Sequence, residues 1–230
     1  MAKKVFIGVG HGGVDGGAVA NGFKEKDLNL SIALACSAEL KRHGVSVEMS
    51  RTKDENDTLS EEIRECNAYN PDLAIDIHNN AGGGDGAEAF YHYKGGTSQT
   101  LAANILKEIV EIGQNSRGTK IKLNDLGTDY FGFIRETKAP AVIVECAFVD
   151  NATDMKIIDT EAERKVMGVA IAKGILATLG IAYIEEAKKE TTEEATLYRV
   201  QVGAFRNKAN AEAYMKKVKA AGFDAFIVKV

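Results

Sequence analysis

The chain has no tryptophan, only two prolines and only three cysteines in 230 residues. No apolar run approaches the roughly 20 residues that a membrane-spanning helix needs, so no membrane association is expected. Cys36, Cys66 and Cys146 are odd in number, far apart and set among apolar or helical neighbours. That argues against a disulfide framework or a cysteine metal cluster and for free buried thiols. The formal net charge is −4, with no basic block, which disfavours nucleic acid as a partner held by bulk electrostatics. The start, MAKKVFIGVG, lacks the long apolar stretch and small-residue cleavage site of a secretory signal, so synthesis in the cytoplasm without a signal peptide is expected. What remains is 45% hydrophobic and 27% charged, the profile of a soluble globular protein with one large or two smaller domains.

What is present begins with Val5 to Gly17, VFIGVGHGGVDGG. A short β-branched run ends in a glycine-crowded turn with a histidine at its centre, which reads as a buried strand delivering one side chain to a sheet edge. Two uses of such a loop compete. Gly8, Gly10 and Gly13 fit the G-x-G-x-x-G fingerprint of dinucleotide sites, whereas His11 points to a metal. A helix should follow, with Leu28, Ile32, Ala35 and Leu40 near helical spacing and Gly44 as its stop. Glu25 falls at its start, on the face of Leu28 and Ile32. It either complements the helix dipole from solvent or is buried and needs a partner or a cation. Val45 to Met49 reads as a second strand ending in Ser50-Arg51. A nicotinamide site places an acidic residue at that tip, and none is there, so the dinucleotide reading weakens.

Thr58 and Glu61 form a capping box before a helix carrying Arg64 and Asn67 on one side. In Leu73 to His78, LAIDIH, alternation puts Ala74, Asp76 and His78 on one face and Leu73, Ile75 and Ile77 on the other. His78 ends this strand ahead of the loop NNAGGGDG, at the edge where open α/β sheets place their ligands. A strand over Glu88 to Tyr93 and a helix around Leu101 to Ile112 come next. Gln114 to Asp129 reads as a long surface loop bordering a substrate groove, and Phe131 to Arg135 as a short strand. AVIVECAFV reads as a central strand with Glu145 near its end, where a carboxylate is costly to bury unless paired or linked to a metal. Thr160 and Glu163 cap a last helix that stops at Gly180. His11, Glu25 and His78 are then two imidazoles and a carboxylate at one sheet edge, the ligand set of one catalytic zinc ion with an open fourth position. Glu145 on a fourth element becomes the general base for a water activated by the ion, and the chemistry is hydrolysis.

The segments VGHGGVDGG, GFKEKDLNL, SRTKDEN, IRECNAYNPDLAIDIHNN and APAVIVECAFVDN, in this order across roughly residues 4–180, resemble the successive motifs of the zinc-dependent N-acetylmuramoyl-L-alanine amidases. Cell-wall hydrolases of spore-forming bacteria and phage endolysins look most alike. The resemblance implies Zn2+ held by His11, Glu25 and His78, a catalytic Glu145, and peptidoglycan as substrate. It also implies the bond cleaved, the amide between the lactyl group of N-acetylmuramic acid and L-alanine. The implied fold is α/β, a mixed, mostly parallel sheet flanked by helices of the phosphorylase/hydrolase-like kind. Arg51, Asp54, Arg64 and Asn67 match family positions as well, where substrate contact or structural pairing of arginine with aspartate accounts for them. Asn80, just after His78, is the nearer candidate for the substrate pocket. The family usually has a small hydroxyl residue where Asp76 stands; Asp76 either hydrogen-bonds a ligand or faces the polar loop.

Composition changes near Glu185, where EEAKKETTEEAT has no core-forming residue and reads as a linker. The expected domains are 1–182, catalytic; 183–196, linker; and 197–230, a small C-terminal β-α-β unit. The tail, YRVQVGAFRNKANAEAYMKKVKAAGFDAFIVKV, is similar to a sporulation-related, peptidoglycan-binding (SPOR-like) repeat. That family usually joins two such units into one domain, and this chain has one. A unit of 33 residues rarely stands alone, so a homodimer through the tails is the expectation. Without an export signal, a wall hydrolase would act after mother-cell or phage-mediated lysis.

Overall fold

Val5, Phe6, Ile7 and Val9 are apolar on both faces, the pattern of a strand covered by helices on each side. β1 spans Lys4–Val9 and is buried beyond Lys4. The computed structural model describes residues 2–185 and 200–229. A small hairpin, β2 (Val19–Ala20) and β3 (Phe23–Lys24), leads into α1 (Glu25–Arg42). Next come β4 (Ser46–Met49), α2 (Leu59–Tyr69), β5 (Leu73–Asn80), β6 (Ala87–Tyr91) and α3 (Thr97–Glu111). β7 (Ser116–Lys120), α4 (Gly132–Glu136), β8 (Ala141–Phe148), α5 (Ala152–Met155) and α6 (Glu161–Leu179) complete this part. Both expected capping boxes form, Thr58 with Glu61 and Thr160 with Glu163, and Gly180 closes α6 in the left-handed conformation.

The six-stranded sheet runs β4-β1-β5-β8-β6-β7. All neighbours are parallel except β6 with β8, which makes it the mixed, mostly parallel sheet expected. Alternation divides its faces. Val5, Ile7, Val9, Ile75, Ile77, Val142 and Val144 join the larger core under α1, α3 and α6. Phe6, Ala74 and Ile143 meet Ile63 of α2 and Phe133 of α4 in a smaller one. Gly8, Asp76, His78, Glu145 and Glu88 have the parity of the second group, so the functional side chains stand on the face that α2 and α4 cover only in part.

Two expectations in this region are corrected. Ser116 to Lys120, read as loop, is the edge strand β7, and Phe131 to Arg135, read as strand, is mostly the helix α4. SRGTK has no apolar alternation because an edge strand here buries little. Five helical residues are too few to show a 3.6-residue period.

The chain divides into two compact units, Met1–Ile184 and Glu185–Val230. In the second, α7 (Lys208–Ala220) begins at Asn207, whose side chain accepts from the Ala209 amide. Residues 200–206 and 223–229 form no strand, unlike the β-α-β reading. A strand needs a neighbour for its backbone groups, and among the described residues neither flank of α7 has one. The linker from Glu186 onward and Leu197 to Arg199 lie outside the described residues. Among the described residues no helix is long and apolar enough to cross a membrane.

Candidate metal centre and active site

β1 ends where the turn begins, and His11 takes φ +62°, a left-handed conformation that side-chain-bearing residues rarely adopt. This turn aims His11 Nε2 at Glu25 Oε2, 3.2 Å away, while Nδ1 lies 2.8 Å from Asp15 Oδ2. Glu25 is the first residue of α1 and only 4% exposed. Its carboxylate accepts from the Ala18 and Asn79 amides and from Asn29 Nδ2, one helical turn on. His78, near the end of β5, places Nδ1 3.0 Å from Glu25 Oε1 and Nε2 3.1 Å from Asp76 Oδ2. One donor atom from each of His11, Glu25 and His78 lies within 4.8 Å of the others. Two imidazole nitrogens and a carboxylate so placed suit a zinc ion.

The glycines of the opening loop make room for this cluster. A Cβ on Gly10 would lie 2.2 Å from the His78 ring, and one on Gly17 would lie 2.6 Å from both Glu25 Oε2 and the His11 ring. A Cβ on Gly8 would meet Glu62 Oε1 at 1.8 Å and Asp76 Oδ1 at 2.9 Å. The donor set, its spacing and this clearance all fit a metal, and the glycines serve its ligands rather than a pyrophosphate.

Glu145 stands directly opposite His78 in the β5·β8 register. Its Oε2 is buried and has no hydrogen-bond partner among the described residues. Burial, with Glu25, Asp76 and Glu88 nearby, pushes the carboxyl up to about 7 against the pull of His78. Glu25 goes the other way: burial opposes its charge, but His11 and His78 outweigh it and hold the carboxyl far below the usual range. Burial likewise opposes charge on His78, yet Asp76 and Glu25 hold its pKa well above the ordinary value. Glu25 raises that of His11. A carboxyl raised toward neutrality thus stands beside a cluster whose carboxylates hold the two imidazoles and attract positive charge.

The profile of the N-acetylmuramoyl-L-alanine amidases matches residues 5–177, three quarters of the chain, and that of the SPOR domain matches residues 171–229. The chain belongs to the N-acetylmuramoyl-L-alanine amidase family. It is similar to the amidase CwlM of Bacillus licheniformis, 35% identical over 229 residues, 98% of this chain and 84% of CwlM. The structure of Cwp6 from Clostridium difficile superposes with a TM-score of 0.77 at 40% identity, over 78% of this chain and 30% of Cwp6. The catalytic domain of the amidase CwlV from Bacillus (Paenibacillus) polymyxa var. colistinus gives 0.71 at 28% identity, over 78% of this chain and 99% of that domain.

In this amidase His11, Glu25, His78 and Glu145 come together, and Asn80 stands beside them, its Nδ2 donating to Glu88 Oε1 at 3.1 Å. Arg51 is only 2% exposed, and its guanidinium donates to the carbonyls of Val9, Gly10, Lys26 and Lys53. It ties down the loop that carries His11 rather than opening onto the site. Arg64 is exposed on α2 and pairs with Glu65. Asp54 clamps the loop, accepting from the Gly13 amide and from Lys26. Sequence reasoning missed Asn29, Glu62, Glu88 and Asp15. Asn29 had a usable signal, lying four residues after Glu25 on the same helical face; Glu62 and Glu88 had none beyond their element's pattern.

Proposed function

We propose that this amidase works through a single zinc ion held by His11 Nε2, Glu25 and His78 Nδ1, with Glu145 as the proton-transferring base. The bond hydrolysed joins the lactyl group of N-acetylmuramic acid to the L-alanine of the stem peptide in peptidoglycan. The chemistry such an ion supplies is Lewis acidity toward an amide carbonyl, together with a water made acidic near neutrality. Glu25 needs its two backbone amides and Asn29 to keep one orientation between two imidazoles. Asp76 fixes the ring plane of His78 through Nε2, leaving Nδ1 for the metal. Glu145 takes the proton of the attacking water on Oε2 and returns it to the departing nitrogen of L-alanine. The products are the lactyl carboxylate and a free L-alanine amino terminus. Asn80, locked to Glu88, lines the approach along β5.

The observation that carries this reading is the pairing of the buried, unpartnered Oε2 of Glu145 with the His11, Glu25 and His78 cluster across one strand register. Metal content and mass spectrometry of digested peptidoglycan test it. Free L-alanine termini should appear without new reducing ends, and a chelator should abolish lysis. Glu145→Gln should bind the metal as wild type does but lose about 100- to 10,000-fold in kcat; a fully active Glu145→Gln protein would sink the mechanism. For the second unit we propose a wall-binding role through paired tails of two chains, supported by the match to the SPOR domain.

A further inference from the structure

The row that carries His78 and Glu145 does not stop at the catalytic carboxylate. Glu145 on β8 stands opposite Glu88 on β6, and β6 pairs in turn with the edge strand β7. Glu88 is buried, and its Oε2 accepts from Arg117 Nε at 2.7 Å and from Lys120 Nζ. Arg117 and Lys120 are three residues apart, a spacing that sends side chains to opposite faces of a regular strand. Here the β6·β7 register shifts between Ala87 and Ala89, and Gly118 takes φ +84°. That irregularity resets the alternation and brings both cations to the face of Glu145, as bulges beside active sites do. Arg117 is held further by the Phe148 ring, 4.9 Å from its guanidinium.

Within this trio two cations meet one carboxylate, so one positive charge is not matched by Glu88. Their side chains are 37% and 34% exposed, open to a solute on the sheet face. Burial resists the charge on Glu88, but Lys120 and Arg117 outweigh it and keep the carboxyl below its ordinary range. One cation would have been enough to neutralise Glu88. β7 lies two strands from β8, about 10 Å away. An extended peptide advances about 3.3–3.6 Å per residue, so a stem peptide leaving Glu145 along this row reaches β7 about three residues on, and Arg117 and Lys120, whose ends extend back to Glu88 on β6, meet it about one residue earlier. In peptidoglycan the residue after L-alanine is acidic, and its carboxyl is either free or amidated.

We propose that Arg117 and Lys120, aimed by the β7 bulge and clamped by Glu88, form an anion subsite for a free carboxylate of the stem peptide. The subsite rests on the amidase reading and names the part of the substrate that reading leaves open. Two soluble muramoyl peptides that differ only in carrying that carboxyl free or as a carboxamide provide the test. Their kcat/KM is measured with wild type, and their Kd by calorimetry with Glu145→Gln, which holds them uncleaved. Wild type should prefer the free carboxylate by about tenfold, mostly through KM. The triple variant E88Q/R117Q/K120Q leaves no charge unpaired. It should bring the ratio of kcat/KM for the two peptides to about one, whatever it does to the kcat common to both. R117K/K120R keeps both charges and should keep the preference. Equal handling of the two peptides by wild type, or a preference that survives the triple variant, overturns the subsite. Should the triple variant not fold, R117Q alone must reduce the preference at least about threefold, or the subsite is overturned. If neither peptide is cleaved but Glu145→Gln binds the free carboxylate more tightly, the amidase mechanism fails and the subsite stands.

Discussion

Asp76 shows how a single side chain decides what its neighbour can do. Its Oδ2 lies 3.1 Å from His78 Nε2, and a histidine with one nitrogen so occupied presents the other to a metal in one orientation. Asp76→Asn keeps the shape and loses the charge. Zinc affinity, measured by competition with a chelator, should fall about 10- to 100-fold with little change in the fold; unchanged affinity would leave Asp76 with no part in holding the ring. Glu145 carries a pH prediction of its own. Its carboxyl rises from an ordinary value of 4.5 to about 7 on folding, so between those values the folded, metal-free protein binds more protons than the unfolded chain. Stability from this group is therefore complete below pH 4.5 and is lost as pH rises through 7. Metal-free Glu145→Gln escapes that loss. It should match wild type near pH 4.5 and exceed it by about 1–3 kcal/mol above neutrality in urea unfolding. A constant difference across the range would mean that burial does not perturb Glu145.

At the scale of elements, the opening loop and α6 use glycine for different ends, and substitution separates them. Gly10 does not need a positive φ, yet its Cβ would lie 2.2 Å from the His78 ring. Gly10→Ala should fold and lose metal. Gly174 lies in α6, where a Cβ would lie 2.4 Å from Ile105 Cα in α3; Gly174→Ala should bind metal at the usual stoichiometry while losing about 1–3 kcal/mol of stability. Metal content and urea unfolding on the same two proteins check this, and the reverse pattern would refute it. The contrast also marks what the sequence could convey. His78 and Glu145 were legible because each interrupts a long apolar strand, where a polar side chain demands a reason. The metal reading of the loop was legible through His11, but the duty of each glycine was not. Gly10 clears His78 and Gly8 clears Asp76 and Glu62 only because β1 and α2 meet β5 in one register. Arg51 was misleading in the same way, since its position beside the motif does not show that four carbonyls absorb its guanidinium. β7 stayed hidden because its polar residues point at Glu88, a contact made across strands distant in sequence.

At the scale of the whole molecule the open question is how the second unit covers its apolar residues. Val200, Val202, Phe205, Phe223, Phe226 and Ile227 are all exposed, Phe226 at 77%, while α7 has no buried residue. Monomeric proteins rarely leave so many apolar groups together in water. The alternating YRVQVGAF and FDAFIVKV still carry strand propensity that has found no neighbour among the described residues. We propose that a second copy of the same unit would supply both the missing strands and the missing cover. Sedimentation equilibrium of the full chain should therefore give a concentration-dependent mass tending to the dimer. Phe226→Asp should return it to the monomer without altering kcat on soluble muramoyl peptides, because residues 5–177 hold the whole amidase match. The same variant should lose most of its retention on sedimented wall sacculi, since two tails on one dimer bind by avidity that single tails lack. A wild-type chain that stays monomeric at every concentration, yet is retained on sacculi, would show instead that one repeat suffices.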